Sequence, residues 1–350
     1  MTALVTDGLR WWARNTPDAP AIVFDGTDPV SYRELDRWTD NAARELAEHG
    51  VRAGERVGVV GPNSLEWVVG AFAAAKLGAV VAPYNHRFVG AELGHLVASS
   101  QPSLVLAGGD NHQRMTEIPG PAEGAGPVDG ADPGGWRLLP LEPLARLRHA
   151  EHTPMPRVAV GPDEVAVLSY TSGTTSRPKG VIFTHRTVLA LISEFGFTQP
   201  ALRPGLRILF LLSLAGAPGF IWHVLQATTR GATLYLERGF DPKSALARVS
   251  GERIGMISGV PVLYDQMAAL PEFAGADLSS LELVTVGGAR VSRATLAAWL
   301  DKGVVIRQIY GMTELGGVST ANPPDKAVSN PELVGRGSMF TPHRVVRADG

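Results

Sequence analysis

Short apolar runs alternate with helical patterns along most of this chain, and that rhythm leaves few folds open. Val57–Val60 has the length of a strand, Gly61, Pro62 and Asn63 make a turn, and Ser64 opens a helical pattern that reaches about Leu77. Val80–Pro83 is the next strand, a helix starts near Ala91, and Leu104–Leu106 is a third strand. Strands separated by a helix pair in parallel, with helices covering the sheet faces. The rhythm returns later, with strands expected at 207–212, 233–236, 254–257, 282–286 and 304–309 and helices at about 219–229, 242–250, 261–270 and 292–302. The expected fold class is α/β, with two parallel-sheet αβα lobes.

Local signals agree with this pattern. Ser31 and Glu34 make a capping box, in which the hydroxyl accepts from the third helical N–H and the carboxylate reaches back to the cap. Leu35, Trp38, Ala42 and Leu46 then mark one face, and Gly50 ends the helix. Residues 107–163 break the rhythm. Within them 120–135, crowded with Gly, Pro and Ala, is expected to be an exposed, mobile loop. The first lobe is therefore expected over 1–163, loop included, and the second over 164–325. No fixed-period repeat or charged low-complexity tail is present.

Composition removes several function classes. A net charge of −2 offers no broad basic field, so neither nucleic acid nor an anionic membrane is an expected partner. With no cysteine the chain has no disulfide, no thiolate metal site and no cysteine nucleophile, which fits a reducing compartment. Residues 1–8 lack the basic start and apolar block of a signal peptide. The longest apolar run, Trp67 to Pro83, is interrupted by Lys76 and two glycines, and reads as a buried helix plus a strand rather than a membrane span. A soluble, cytoplasmic protein is expected.

The chemistry concentrates in residues 170–180: Tyr170, Thr171, Ser172, Gly173, Thr174, Thr175, Ser176, Arg177, Pro178, Lys179 and Gly180. Strand-like runs Val165–Tyr170 and Val181–Thr184 flank it, so a hairpin would hold the loop out from a rigid base. Hydroxyls, free backbone N–H groups and a lysine suit a polyphosphate. The loop is not a Walker A motif, because Lys179-Gly180 leads into a strand rather than a helix. No Gly-x-Gly-x-x-Gly follows a strand, and no Gly-x-Ser-x-Gly elbow occurs. A polar hairpin tip without any ligand has the same composition, so other segments must decide. Tyr310 offers an aromatic face, Gly311 a close backbone approach and Glu314 an oxygen ligand for a hard cation, all just past the strand expected at 304–309. Gly287-Gly288-Ala289 falls at the end of the strand expected at 282–286, where open α/β sheets place ligands. His149 and His152 have poor spacing for zinc. His185 and His223 read as helix-start or pocket-wall residues, and Trp11 and Trp12 as the packing face of an N-terminal helix.

Taken together these segments resemble the adenylate-forming superfamily of acyl- and aryl-CoA synthetases, luciferases and peptide-synthetase adenylation domains. Its phosphate loop reads Tyr-Thr-Ser-Gly-Thr-Thr-Gly-x-Pro-Lys-Gly, and residues 170–180 match except at Ser176. Residues 310–314 resemble its Tyr-Gly-x-Thr-Glu, and Gly287-Gly288-Ala289 its Gly-Gly-Ala-Pro with Arg290 replacing proline. Leu77-Gly78-Ala79-Val80, Pro83-Tyr84-Asn85, Val260–Tyr264 and Val334-Gly335-Arg336 extend the likeness over essentially the whole chain.

The resemblance implies that Thr171, Ser172, Gly173, Thr174 and Thr175 grip the phosphates of ATP, with Lys179 assisting electrostatically. It places Gly288, Ala289 and Arg290 along the adenine, Tyr310 stacked on the base, and Gly311, Met312 and Thr313 beside the nucleotide. Glu314 would hold Mg²⁺, and Thr174, Thr313 and Glu314 are the expected catalytic residues. Ala215, Gly216, His223, Gly287 and Gly311 are expected to line the pocket for a small carboxylic acid. The implied reaction is attack of that carboxylate on the α-phosphorus, giving an acyl adenylate and pyrophosphate. The acceptor would be CoA or, alternatively, a carrier-protein thiol or an amine, and a homodimer is compatible with the family. A truncated module that binds nucleotide or carboxylate without turnover is the competing reading, and an unrelated NTPase fits poorly.

Departures from the family pattern sharpen the expectations. The family continues with a Thr-Gly-Asp segment, a hinge and a lid domain bearing a lysine, and none follows Gly350. Residues 326–350 are therefore expected to begin a truncated β-subdomain, with low activity in its absence. Where many relatives carry an aromatic-His pair, this chain has the small residues of 213–219; either the pocket is wider or Trp222 or His223 refills it. No Asp suited to a substrate ammonium occurs there, so a free α-amino acid is a poor candidate. Ser176 adds a Cβ at a position where glycine is usual.

Overall fold

The computed structural model describes residues 3–122, 135–171 and 177–347. Among them the strands form two sheets. One has the order Gly317–Ala321, Ile306–Met312, Leu283–Val286, Met256–Gly259, Arg207–Phe210, Thr233–Leu236, Pro20–Phe24, Val30–Ser31. It is parallel except at its edges, where Gly317–Ala321 and Val30–Ser31 pair antiparallel. The other runs Pro121–Ala122, Trp136–Pro140, Leu104–Ala107, Arg56–Val60, Val80–Tyr84, Val165–Tyr170, Gly180–Thr184, and only its last pair is antiparallel. The α/β class with two parallel-dominated sheets stands as expected.

Sheet membership crosses the boundary expected at 163. Pro20–Phe24 pairs with Thr233–Leu236 in the larger sheet, with Ile22 opposite Leu234. The hairpin Val165–Tyr170/Gly180–Thr184 belongs to the smaller sheet, through Val81 opposite Val167. Each sheet thus borrows strands from the other half of the chain. The break in rhythm after residue 107 is also shorter than the sequence suggests. Asp110–Thr116 is helical, and Trp136–Pro140 adds a parallel strand beside Leu104–Ala107. Most of the Gly/Pro-rich stretch lies outside the described residues. At the C-terminal end Pro324–Ser329 is helical, and beyond it the described residues add one isolated antiparallel bridge, Ala321 to Arg336.

The helix Leu65–Lys76 is buried at every position but Glu66, as expected of a largely apolar helix with almost no solvent face. It belongs to a core that takes residues from both sheets, including Val57, Val59 and Val81 from one and Ile22, Ile208 and Leu234 from the other. Trp67 and Phe72 meet Phe220 edge-on, at 5.7 and 6.2 Å between ring centres. Burying side chains of this size contributes roughly 1.5–3 kcal/mol each. Lys76 is buried at the helix end and meets Asp36 and Asp40, both at 2.6 Å. Burial alone would raise the Asp40 carboxyl, but Lys76, together with His152 at 3.0 Å, outweighs it and holds the group below the usual carboxylate range. His152 therefore serves an ion-pair cluster. Ser31 forms the expected capping box and Tyr32–Glu48 the helix behind it. Trp12 packs on the core and donates to the Thr229 carbonyl, whereas Trp11 is exposed, so the N-terminal helix buries only one of the two rings.

Candidate active site

Three strands of the larger sheet end side by side: Met256–Gly259, Leu283–Val286 and Ile306–Met312. Beyond these ends lies a cavity of about 540 Å³. Ser258, Gly259, Val260, Gly287, Gly288 and Ile309 form its floor. Thr171 reaches it from the hairpin of the smaller sheet, and Gly311, Met312, Thr313 and Glu314 from the edge hairpin of the larger one. Thr171, at the base of the hydroxyl-rich loop, and the segment Gly311–Glu314 therefore open onto one space, as a shared ligand requires. Ser172, Gly173, Thr174, Thr175 and Ser176 lie outside the described residues.

The base of that loop is firmly held. Thr171 N–H donates to the Lys179 carbonyl at 3.1 Å, continuing the ladder one step beyond the Tyr170–Gly180 pair. The Pro178 carbonyl meets His95 Nε2 at 2.9 Å. The Lys179 side chain is exposed and is not part of the cavity wall among the described residues.

The glutamate side differs from the simple strand-then-loop expectation. Ile306–Met312 runs straight through Tyr310 and Gly311, and a second strand, Gly317–Ala321, turns back along it. The turn between them is a short 3₁₀ segment, Thr313–Leu315, closed by Gly316 N–H to the Thr313 carbonyl at 2.9 Å. Gly316 and Gly317 have φ of +82° and +109°, conformations open to glycine, and these supply the reversal. Gly311 sits at a register shift in this hairpin, where a Cβ would lie 1.6 Å from the Gly317 carbonyl oxygen. Its glycine is required by the facing strand itself. Glu314 stands exposed at the mouth. Tyr310 is 50% exposed and, like Ala289 and Arg290, is not part of the cavity lining. Arg290 instead leans towards Glu332, at 3.6 Å.

The inner wall comes from the segment after Arg207–Phe210. Asn63, in the turn of the smaller sheet, donates to the carbonyls of Leu212 and Glu237 at 2.7 and 2.9 Å, and its own carbonyl accepts from Leu214 N–H at 2.9 Å. One buried amide thus ties the two sheets together and fixes the start of the wall. Ala215 is then buried and Gly216 caps a short helical turn; neither lines the cavity, because the chain curls and turns Pro218 inward instead. Residues Phe220–Leu225 form a π-helical turn, and Trp222, His223 and Gln226 face the cavity. Trp222 packs on Phe195 with ring centres 4.9 Å apart and donates to the Gly316 carbonyl. Phe195, Trp222 and Val318 separate the main cavity from a smaller one of about 150 Å³. The space opened by small residues at 213–219 is therefore partly refilled by Trp222 and His223.

His223 stacks on Phe210 at 4.3 Å and shares a hydrogen bond between Nδ1 and the Pro218 carbonyl. A carbonyl can only accept, so Nδ1 carries the hydrogen and Nε2 of the neutral ring is an acceptor. Burial pushes the His223 pKa down to about 4, against the small opposing pull of Pro218. Gln226 was not anticipated as a site residue. Its signal is legible in hindsight as a second polar residue, three positions after His223, within the apolar run 220–227. Among the described residues no group of three or more His, Asp or Glu side chains could cage a metal. A divalent cation held by Glu314 would therefore have to bring most of its ligands with it, as phosphates and water.

A family model described as AMP-binding enzyme matches residues 9–350. Feruloyl-CoA synthase of an Amycolatopsis species is 35% identical over 312 residues, which cover 88% of this chain and 60% of the relative. The long-chain-fatty-acid–CoA ligase FadD13 of Mycobacterium tuberculosis is 30% identical over 349 residues, 98% of this chain and 66% of the relative. The chain thus spans about three-fifths to two-thirds of the length of these relatives. The inhibitor-bound crystal structure of the N-terminal domain of FACL13 from Mycobacterium tuberculosis superposes with a TM-score of 0.87 at 28% identity, over 97% of this chain and 83% of that one. With its fold, its cavity at the strand ends and its motif segments in accord with this match, the chain belongs to the AMP-binding enzyme family, within the adenylate-forming superfamily.

Proposed function

We propose that the cavity takes ATP and a small carboxylic acid and joins them as an acyl adenylate with release of pyrophosphate. The observation that carries this reading is the single cavity shared by Thr171, Thr313, Glu314, Gly287, Gly288 and a largely apolar inner wall. A cavity of about 540 Å³ is in the size range of small-molecule sites. In the reaction a carboxylate oxygen bonds to the α-phosphorus as the bond from that phosphorus to the pyrophosphate oxygen breaks. Both reactants are anions, so the work of the protein is positioning and charge neutralisation. Thr171 and the loop it begins hold the phosphates, Thr313 orients the α-phosphate, and Glu314 holds Mg²⁺. That ion, when bound, offsets phosphate charge and polarises the reacting phosphoryl group. The CoA-ligase names of the relatives favour CoA as the acceptor in the following transfer.

The test is ATP–pyrophosphate exchange over a panel of aryl and alkyl acids, run with this chain alone and with the chain extended by a family lid domain. We expect exchange stimulated by particular acids, stronger in the extended protein, with AMP and pyrophosphate as products. Absence of exchange with every acid in both proteins, or release of ADP and orthophosphate, overturns the reading.

A further inference from the structure

The two arms of the hairpin at 165–184 are unequally supported. Val165–Tyr170 lies between two strands, whereas Gly180–Thr184 is the edge of the smaller sheet, with one neighbour among the described residues. Beyond the last ladder pair, Tyr170 with Gly180, the first arm continues to Thr171 in the cavity wall, and the second is entered through Pro178 and Lys179. The helix Ala91–Ser100 meets both arms with consecutive residues. The Leu96 carbonyl accepts from the Tyr170 hydroxyl at 3.5 Å, and the Tyr170 ring rests edge-on against Tyr84 with centres 6.2 Å apart. On the other arm His95 Nε2 meets the Pro178 carbonyl at 2.9 Å. Among the described residues this is the one side-chain hydrogen bond made to residues 177–180.

The contact has a fixed direction. A carbonyl oxygen can only accept, so His95 Nε2 carries the hydrogen and donates it. The ring of Pro178 fixes its φ, so holding its carbonyl holds the backbone around it. From there the constraint passes on by one residue, because the Lys179 carbonyl accepts from Thr171 N–H at 3.1 Å. His95 is half-buried and is not part of the cavity lining, yet only two peptide groups separate its hydrogen bond from Thr171, which is. Donors that must close on a polyphosphate act best when already in place, since ordering them at binding costs affinity.

We propose that His95 is a positioning residue for the phosphate-binding hairpin: its hydrogen bond to the Pro178 carbonyl holds Thr171 against the cavity. This rests on the adenylation reading above, and adds to it a residue outside the motif segments, on a helix that reaches no ligand itself.

The experiment compares the parent chain with His95→Leu, which has no donor, and His95→Gln, whose side-chain amide can donate from about the same reach. Calorimetry with the chain gives dissociation constants for MgATP and for adenosine, which carries no phosphate. Pyrophosphate exchange with the lid-extended protein gives KM for ATP and for the acid. We expect His95→Leu to weaken MgATP binding and raise the KM for ATP by about five- to tenfold, the effect of one lost hydrogen bond. Adenosine affinity, the KM for the acid and the melting temperature should stay at their parent values. His95→Gln should recover MgATP binding to within about twofold of the parent. Equal MgATP binding by all three proteins overturns the inference and leaves the adenylation reading standing. A loss shared equally by His95→Leu and His95→Gln overturns it too, because the ring then acts by shape or charge and not through Pro178. Parallel losses for adenosine and MgATP, or failure of His95→Leu to fold, make His95 part of the scaffold and have the same consequence. If the parent binds MgATP but supports exchange with no acid, the adenylation reading fails and the dissociation constants still decide the role of His95. If the parent does not bind MgATP, both fall.

Discussion

The mouth of the cavity and its inner wall are built in opposite ways. The mouth consists of a loop base and a hairpin turn, Thr171 on one sheet and Thr313–Glu314 on the other, with Glu314 open to solvent. The wall is a buried helical segment whose residues are locked by ring packing and by Asn63. On the proposed function, groups at the mouth carry the charge chemistry and should be changeable with little effect on folding, whereas groups in the wall belong to the core and shape what the cavity accepts. Catalysis and selectivity would then fall on parts of the molecule with different stability costs.

The largest effect that would sharpen this contrast is at Glu314. Glu314→Gln should lower pyrophosphate exchange by about 10²–10³ while the melting temperature stays within error of the parent. A marked fall in melting temperature would instead make Glu314 part of the scaffold and blur the distinction. Next is Gly317→Ala, the converse case. Its Cβ would sit 1.7 Å from Trp222 Nε1, at a residue whose φ is +109°. We expect a loss of about 3 kcal/mol in denaturant unfolding, from overpacking and backbone strain together. A neutral result would show that the edge hairpin is free to shift away from the wall.

The third way to probe the contrast is pH. His223 has its pKa lowered to about 4 by burial, so in the unfolded chain this imidazole binds a proton at higher pH than it does in the native one. The sign follows: its contribution is unchanged above about pH 6.5 and stability is lost as pH falls from there towards 4. The loss is about 3 kcal/mol at the lower limit. His223→Gln should flatten that part of the unfolding curve between pH 7 and pH 4. Parallel curves for the two proteins would mean the ring is reached by water and the wall is less sealed than its packing indicates.

Much of this was legible from the chain. The capping box at Ser31, the hairpin around 170–180 and the buried helix at 65–76 follow from local chemistry and apolar periodicity, which act within a few residues. Gly287, Gly288 and Gly311–Glu314, which the sequence marks by glycines and motif residues just past strand ends, line the cavity. Other features were not legible. The exchange of strands between the halves depends on which sheet edge is free to pair, and backbone hydrogen bonding carries no mark of that in the side chains. Tyr310 and Arg290, expected beside the adenine, lie outside the cavity lining.

By itself the sequence determined the α/β class, the order of most elements and the family, since these rest on periodicity, turn chemistry and short motifs. Only the tertiary structure decided that Thr171 and Glu314 share one cavity. It also decided that Pro218 rather than Ala215 lines the cavity, and that His223 Nε2 and the Gln226 amide are buried with their hydrogen bonds unmade. The physical reason is burial. Whether a polar atom is paired depends on every neighbour that packs against it, and those neighbours come from strands and helices far apart in the chain.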